Sequence, residues 1–134
     1  MQPSTSPFAL VVDDDALIRM HACDILEDAG FRFYEACDGE EAIALLEQYA
    51  DNVSLLFSDV EMPGIDGFEL ARHVEHHWSW IEIVIASGRV QPQRGDMPEK
   101  ATFIRKPFSA ENVKTHLAEK LPDGKKPEQL KRAV

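Results

Sequence analysis

The chain has 134 residues and a mass of 15.1 kDa, the size of one ordinary domain. Its 44% hydrophobic and 28% charged residues allow a real core, and no apolar run approaches the ~20 residues that cross a bilayer. Twenty-four acids against fourteen Lys and Arg give a formal net charge of -10, which argues against a nucleic-acid-binding surface.

The first residues, Met1 to Pro7, lack the basic and then apolar stretches of a signal peptide. Phe8–Val12 is a short apolar run that predicts a buried strand. Asp13, Asp14 and Asp15 follow it, and Asp15 is placed to cap a first helix. In that helix Ile18, Ala22, Ile25 and Ala29 recur at helical spacing until Gly30 ends the run. Phe31–Ala36 is a more polar strand that suits a sheet edge. Asp38 with Glu41 is a capping-box pair for a second helix carrying Ala42, Leu45, Leu46 and Tyr49. Cys23 and Cys37 fit neither a metal spacing nor a disulfide scaffold, so the expected compartment is the reducing cytoplasm.

Val53–Phe57 predicts a third strand, ending close to Asp59. Met62-Pro63-Gly64 and Gly67 shape the loop beyond it, and Asp66 with Glu69 caps a third helix running to about His77. His73, His76 and His77 have helical spacings open to a transition metal, but read better as a solvated helix end. Trp78 and Trp80 read as packing before a fourth strand, Ile81–Ala86, after which comes Ser87. The stretch GRVQPQRGDMPEK from Gly88 to Lys100 contains Pro92 and Pro98, which disfavour a regular helix. Ala101–Ile104 is a short fifth strand before Lys106, and Ser109 caps a last helix carrying Val113 and Leu117. These boundaries give one domain over residues 1–120. Residues 121–134 then read as a basic tail, helical after Pro127.

Strands alternating with helices imply an α/β fold, a parallel sheet covered on both faces. In such sheets ligands bind beyond the carboxyl ends of the strands. Those positions here are Asp13, Asp14 and Asp15, then Asp59, Ser87 and Lys106. Two carboxylates ~5 Å apart repel by roughly 3 kcal/mol at an effective dielectric near 20. Such a cluster calls for a cation, and hard carboxylate oxygens with few other ligands suit Mg²⁺, with Mn²⁺ as a substitute.

The segments VVDDDALIR, FSDVEMPGIDGFEL, IVIASG and FIRKPF, in this order, resemble the receiver domain of two-component response regulators, the CheY-like family. The resemblance spans about residues 8–120. It implies five parallel strands in the order 2-1-3-4-5, the flavodoxin-like arrangement. It makes Asp59 the acceptor of a phosphoryl group from a histidine kinase or phosphotransfer protein. Asp14, Asp59 and the backbone carbonyl of Glu61 would hold Mg²⁺, with Asp13 acting through water. Lys106 would offset phosphoryl charge and Ser87 would donate a hydrogen bond to it. Phe103 would be the aromatic switch residue, and Lys106-Pro107 a cis peptide. Glu61 and Arg89 flank the site and would tune the lifetime of the phosphoryl group.

The chain departs from the family between Ser87 and Lys106, where eighteen residues and two prolines leave a fourth helix shortened or absent. The resemblance implies no enzyme beyond self-phosphorylation and autodephosphorylation. The expected form is a stand-alone receiver, monomeric or weakly dimeric, acting on a protein partner without DNA binding or membrane insertion. A close alternative is a phosphate sink for a shared kinase. An aspartyl-phosphate phosphohydrolase is a more distant one, since the haloacid dehalogenase family has a second Asp where this chain has Glu61. A docking module that never uses its Asp is the third.

Overall fold

The computed structural model describes residues 6–132, with the side chain of residue 132 excepted. The terminal residues of the expected domain and tail, 1–5 and 133–134, lie outside this range. The strands are β1 (Phe8–Val12), β2 (Arg32–Ala36), β3 (Val53–Asp59), β4 (Glu82–Ser87) and β5 (Thr102–Arg105). The α-helices are α1 (Ala16–Asp28), α2 (Gly39–Tyr49), α3 (Gly67–His77), α4 (Ala110–Lys120) and α5 (Glu128–Arg132). All strand pairs are parallel, in the order β2-β1-β3-β4-β5.

Strand alternation builds two cores. Ala9 and Val11 of β1, Leu55 and Phe57 of β3, and Val84 and Ala86 of β4 face α1 and α4. Their neighbours Leu10, Val12, Leu56, Ile83 and Ile85 face α2 and α3. This period of two on strands buried on both faces accounts for the continuous apolar runs in the sequence.

The helix starts follow the expected caps. Asp15 accepts hydrogen bonds from the amides of Leu17 and Ile18, Asp38 from Glu41, and Ser109 from Asn112. Asp66 and Glu69 complete a reciprocal capping box. Past α1, Gly30 takes a φ of +107°, a left-handed turn that a side chain resists.

Between β4 and β5 no helix forms. Val90, Met97 and Ala101 instead pack against the α3 side of the core, and Pro98 is buried. Arg72 of α3 donates to the carbonyl of Asp96, and Lys100 to that of Ser79, so side chains anchor a segment with few ladder bonds of its own.

The stretch read as a basic tail packs on the domain as far as it is described. Leu121 and Leu130 join the α1 and α4 core, with Leu130 only 1% exposed. Lys125 donates to the carbonyl of Trp80 and lies 3.8 Å from Glu82. Cys23 is buried and Cys37 exposed, both as free thiols. Among the described residues no helix is long and apolar enough to cross a membrane.

Candidate functional site

Strand register assembles the site. Val12 pairs with Ser58, so the next residues, Asp13 and Asp59, lie side by side. Asp59 pairs with Ala86, which places Ser87 one step beyond it. Ser87 pairs with Arg105, and the amide of Lys106 donates to the Ser87 carbonyl at 3.0 Å. Four strands thus bring the four residues to one edge of the sheet.

Asp13, Asp14 and Asp59 each place a carboxylate oxygen within 4.8 Å of the others. Asp13 and Asp59 are 5% and 8% exposed, while Asp14 faces solvent. Lys106 Nζ reaches Asp13 Oδ2 and Asp59 Oδ1, both at 2.9 Å. Three carboxylates and one ammonium leave the cluster with two uncompensated negative charges. Among the described residues this is the one group of three or more His, Cys, Asp or Glu that converges closely enough for a metal ion. Its donors are all hard oxygens, a set that fits Mg²⁺.

Burial is the largest influence on Asp59 and raises its pKa, and the charges of Asp13 and Asp14 act in the same direction. The hydrogen bond and charge of Lys106 oppose them without cancelling the rise. For Lys106 burial is again the largest influence and pulls its pKa down. Its hydrogen bonds to Asp59 and Asp13 outweigh this, so the net shift is upward and the ammonium stays charged.

The Asp13 turn is held from several sides. Its carboxylate accepts from the Asp15 amide at 2.9 Å, and its own amide donates to the Ala36 carbonyl at 3.2 Å. Arg19 donates to the Asp13 carbonyl at 2.8 Å and to Glu35 at 3.0 Å. Sequence reading missed Arg19. The signal available was its place one turn after Asp15, on the helix that leads away from the carboxylates.

Ser87 is 1% exposed, and its hydroxyl oxygen accepts from the amides of Arg89 and Val90 at 3.2 and 3.0 Å. Both bonds use the oxygen lone pairs and leave the hydroxyl proton available for donation. Arg89 and Glu61 approach to 3.8 Å, both exposed, at the rim of the cluster. Phe103 is half-buried against the α3 side of the core, paired in register with Ile85. The Lys106–Pro107 peptide is cis. Gly67 also serves the site. Its amide donates to the Val60 carbonyl at 2.8 Å, and a Cβ there would lie 2.8 Å from Val60 Cα and press on the Asp59 carbonyl.

The profile of the response regulator receiver domain matches residues 9–118. The chain belongs to this family. It is 31% identical over 121 residues to the sensor kinase CckA of Brucella abortus, covering 88% of this chain and 13% of that protein. It is likewise 31% identical over 118 residues to the transcriptional regulatory protein PdtaR of Mycobacterium tuberculosis, covering 78% of this chain and 51% of that one. The chain spans about half or less of the curated relatives it matches. Among solved structures it is similar to the receiver domain of the hybrid histidine kinase CckA, with a TM-score of 0.72 and 31% identity over 86% of this chain and 99% of that one. The chemotaxis response regulator CheY4 of Vibrio cholerae gives a TM-score of 0.76 and 29% identity over 87% of this chain and 100% of that one. Receiver domains are phosphoacceptor modules of two-component phosphorelays rather than enzymes that turn over a substrate.

Proposed function

We propose that this receiver is a phosphoryl-operated switch in which Asp59 accepts its phosphoryl group from a histidine kinase or phosphotransfer protein. The observation that carries the reading is the convergence of three carboxylates on one lysine at the carboxyl edge of the sheet. A helix cap or an ordinary surface needs no such arrangement.

In the transfer, an oxygen of the Asp59 carboxylate attacks phosphorus while the P–N bond to the donor imidazole breaks. The electron pair of that bond stays on the imidazole nitrogen, and the product on this chain is an acyl phosphate. Asp14, Asp59 and the backbone carbonyl of Glu61 would hold Mg²⁺, or Mn²⁺ in its place, with Asp13 acting through water. When bound, that cation supplies positive charge against the phosphoryl oxygens. Lys106, already held by Asp13, remains beside the group after Asp59 is phosphorylated and offsets further charge.

Ser87 uses its free hydroxyl proton to bind a phosphoryl oxygen. That contact tightens the turn carrying Arg89 and Val90, since both amides already hang on the Ser87 oxygen. Phe103, on the neighbouring strand and half-buried, repacks in response, which converts a local charge change into an altered surface. Glu61 and Arg89 at the rim set how easily water reaches the acyl phosphate.

Intact-mass analysis after treatment with acetyl phosphate tests the reading. The expected result is one phosphoryl group per chain in the presence of Mg²⁺ and none in its absence. Equal labelling with the metal chelated would overturn it.

A further inference from the structure

The three carboxylates of the cluster are held by different means. Asp13 is fixed by the Asp15 amide and by Lys106, and Asp59 by Lys106. Among the described residues no hydrogen bond or ion pair holds the Asp14 carboxylate, although it converges with the other two. Its direction therefore comes from the backbone it hangs on, through the peptide that joins Asp13 to Asp14.

Arg19 grips that peptide. β2 ends at Ala36, which takes the Asp13 amide at 3.2 Å, so among the described residues the strand ladder offers the Asp13 carbonyl no further amide. The Arg19 guanidinium occupies that place with a bond of 2.8 Å. Through Nε it also donates at 3.0 Å to Glu35, the residue just before Ala36 on β2. The Arg19 amide donates to the Asp15 carbonyl at 2.9 Å, which roots the side chain in the first turn of α1. Asp13, Arg19 and the end of β2 thus close a ring, with the Arg19 side chain 19% exposed. A planar guanidinium held at two points fixes the direction of the carbonyl it meets. An ordinary exposed ion pair between a helix and a strand contributes little and needs no third partner of this kind.

We propose, on the reading that Asp14 and Asp59 hold Mg²⁺, that Arg19 braced by Glu35 is a positioning residue for the cation site. It holds the Asp13–Asp14 peptide in the orientation that turns the Asp14 carboxylate toward the cluster. A carboxylate already aimed loses less freedom when the cation arrives, which strengthens binding without any contact between Arg19 and the ion. Charge alone predicts the reverse. A guanidinium beside the cluster repels a cation, so its removal would tighten Mg²⁺ binding if Arg19 acted only through its charge. The sign of the change therefore separates the two roles.

The test is a Mg²⁺ titration of the full chain by calorimetry, with melting temperatures recorded in the absence of the metal. Arg19→Met keeps the aliphatic stem and removes every side-chain donor. It should weaken Mg²⁺ binding by about tenfold, the lower end of what loss of an outer supporting group costs a metal site. Glu35→Ala should weaken binding in the same direction, and Glu35→Gln should restore it, because the amide oxygen still accepts from Nε. Charge alone would make the two Glu35 variants alike. Arg72→Gln loses a guanidinium that anchors the Asp96 carbonyl outside the cluster, and should leave Mg²⁺ binding unchanged. Binding by Arg19→Met as tight as the parent's or tighter, while Asp14→Asn still weakens it, would overturn the positioning role alone. Binding by Asp14→Asn equal to the parent's would overturn the metal reading and the positioning role with it. Should Arg19→Met not fold, the Glu35 pair decides, and equal binding by Glu35→Ala and Glu35→Gln overturns the proposal.

Discussion

The two ends of the sheet follow opposite rules. At the carboxyl end, Asp13, Asp59 and Ser87 are buried polar groups, and a single lysine faces two of the carboxylates. At the amino end, Pro127 and Gln129 close over Gly30, Leu130 is buried in the core, and Lys125 fastens the turn at Trp80. One end stores electrostatic cost and the other supplies apolar burial. The contrast teaches where stability and function separate in this domain: removing matter should hurt the amino end, while removing charge should relax the carboxyl end.

The largest effect belongs to the apolar end. Leu130→Ala should lower unfolding free energy by about 2–5 kcal/mol, as for other buried leucines. Urea denaturation measures this, and a loss near zero would mean that the segment after α4 is an appendage after all. Next in size is the response of the charged end to its cation. Mg²⁺ at about a hundred times its dissociation constant should stabilise the chain by about 2.7 kcal/mol. Asp14→Asn should remove most of that gain in a thermal melt, and an unchanged Mg²⁺ response would refute the ligand assignment.

A smaller effect of opposite sign is expected at Asp59. Its pKa is raised in the folded chain, so the folded form holds a proton more readily than the unfolded one. The stabilising share of this group is therefore present at low pH and lost as pH rises through its folded value. Asp59→Asn should then be more stable than the parent at neutral pH without Mg²⁺. The gap should close as pH falls toward the ordinary carboxylate value of 3.8. A variant less stable than the parent at neutral pH would break the contrast between the ends.

The smallest effect is at His116, half-buried and 2.7 Å from the Thr102 hydroxyl. Burial lowers its pKa, with Lys120 adding to the fall, so the unfolded chain binds the proton better. Stability should decline as pH drops below the ordinary imidazole value of 6.5. His116→Gln should flatten that part of the melting-temperature profile, and an unaltered slope would exclude this histidine as its source.

Much of this contrast was legible in the sequence because it rests on local rules. Asp15, Asp38, Asp66 and Ser109 cap the helices expected of them, since a cap needs only the next three residues. Asp13, Asp59, Ser87 and Lys106 could be placed together because each stands at or just past the carboxyl end of a strand, and parallel register does the rest. Prolines correctly signalled the missing helix before β5. What was not legible depends on contacts between distant segments. Leu130 looked like part of a tail because its burial depends on where α4 delivers the chain. Arg19 looked like helix surface because its partners, the Asp13 carbonyl and Glu35, meet it only once β2 lies beside β1.

The central claim is that one carboxylate, Asp59, receives the phosphoryl group. The most direct measurement is phosphotransfer from radiolabelled histidine kinases of two-component systems to the parent chain and to Asp59→Asn, with Mg²⁺ present and folding of both confirmed by circular dichroism. The account predicts rapid labelling of the parent by at least one kinase and none of the folded Asn variant. Equal labelling of both proteins would contradict it.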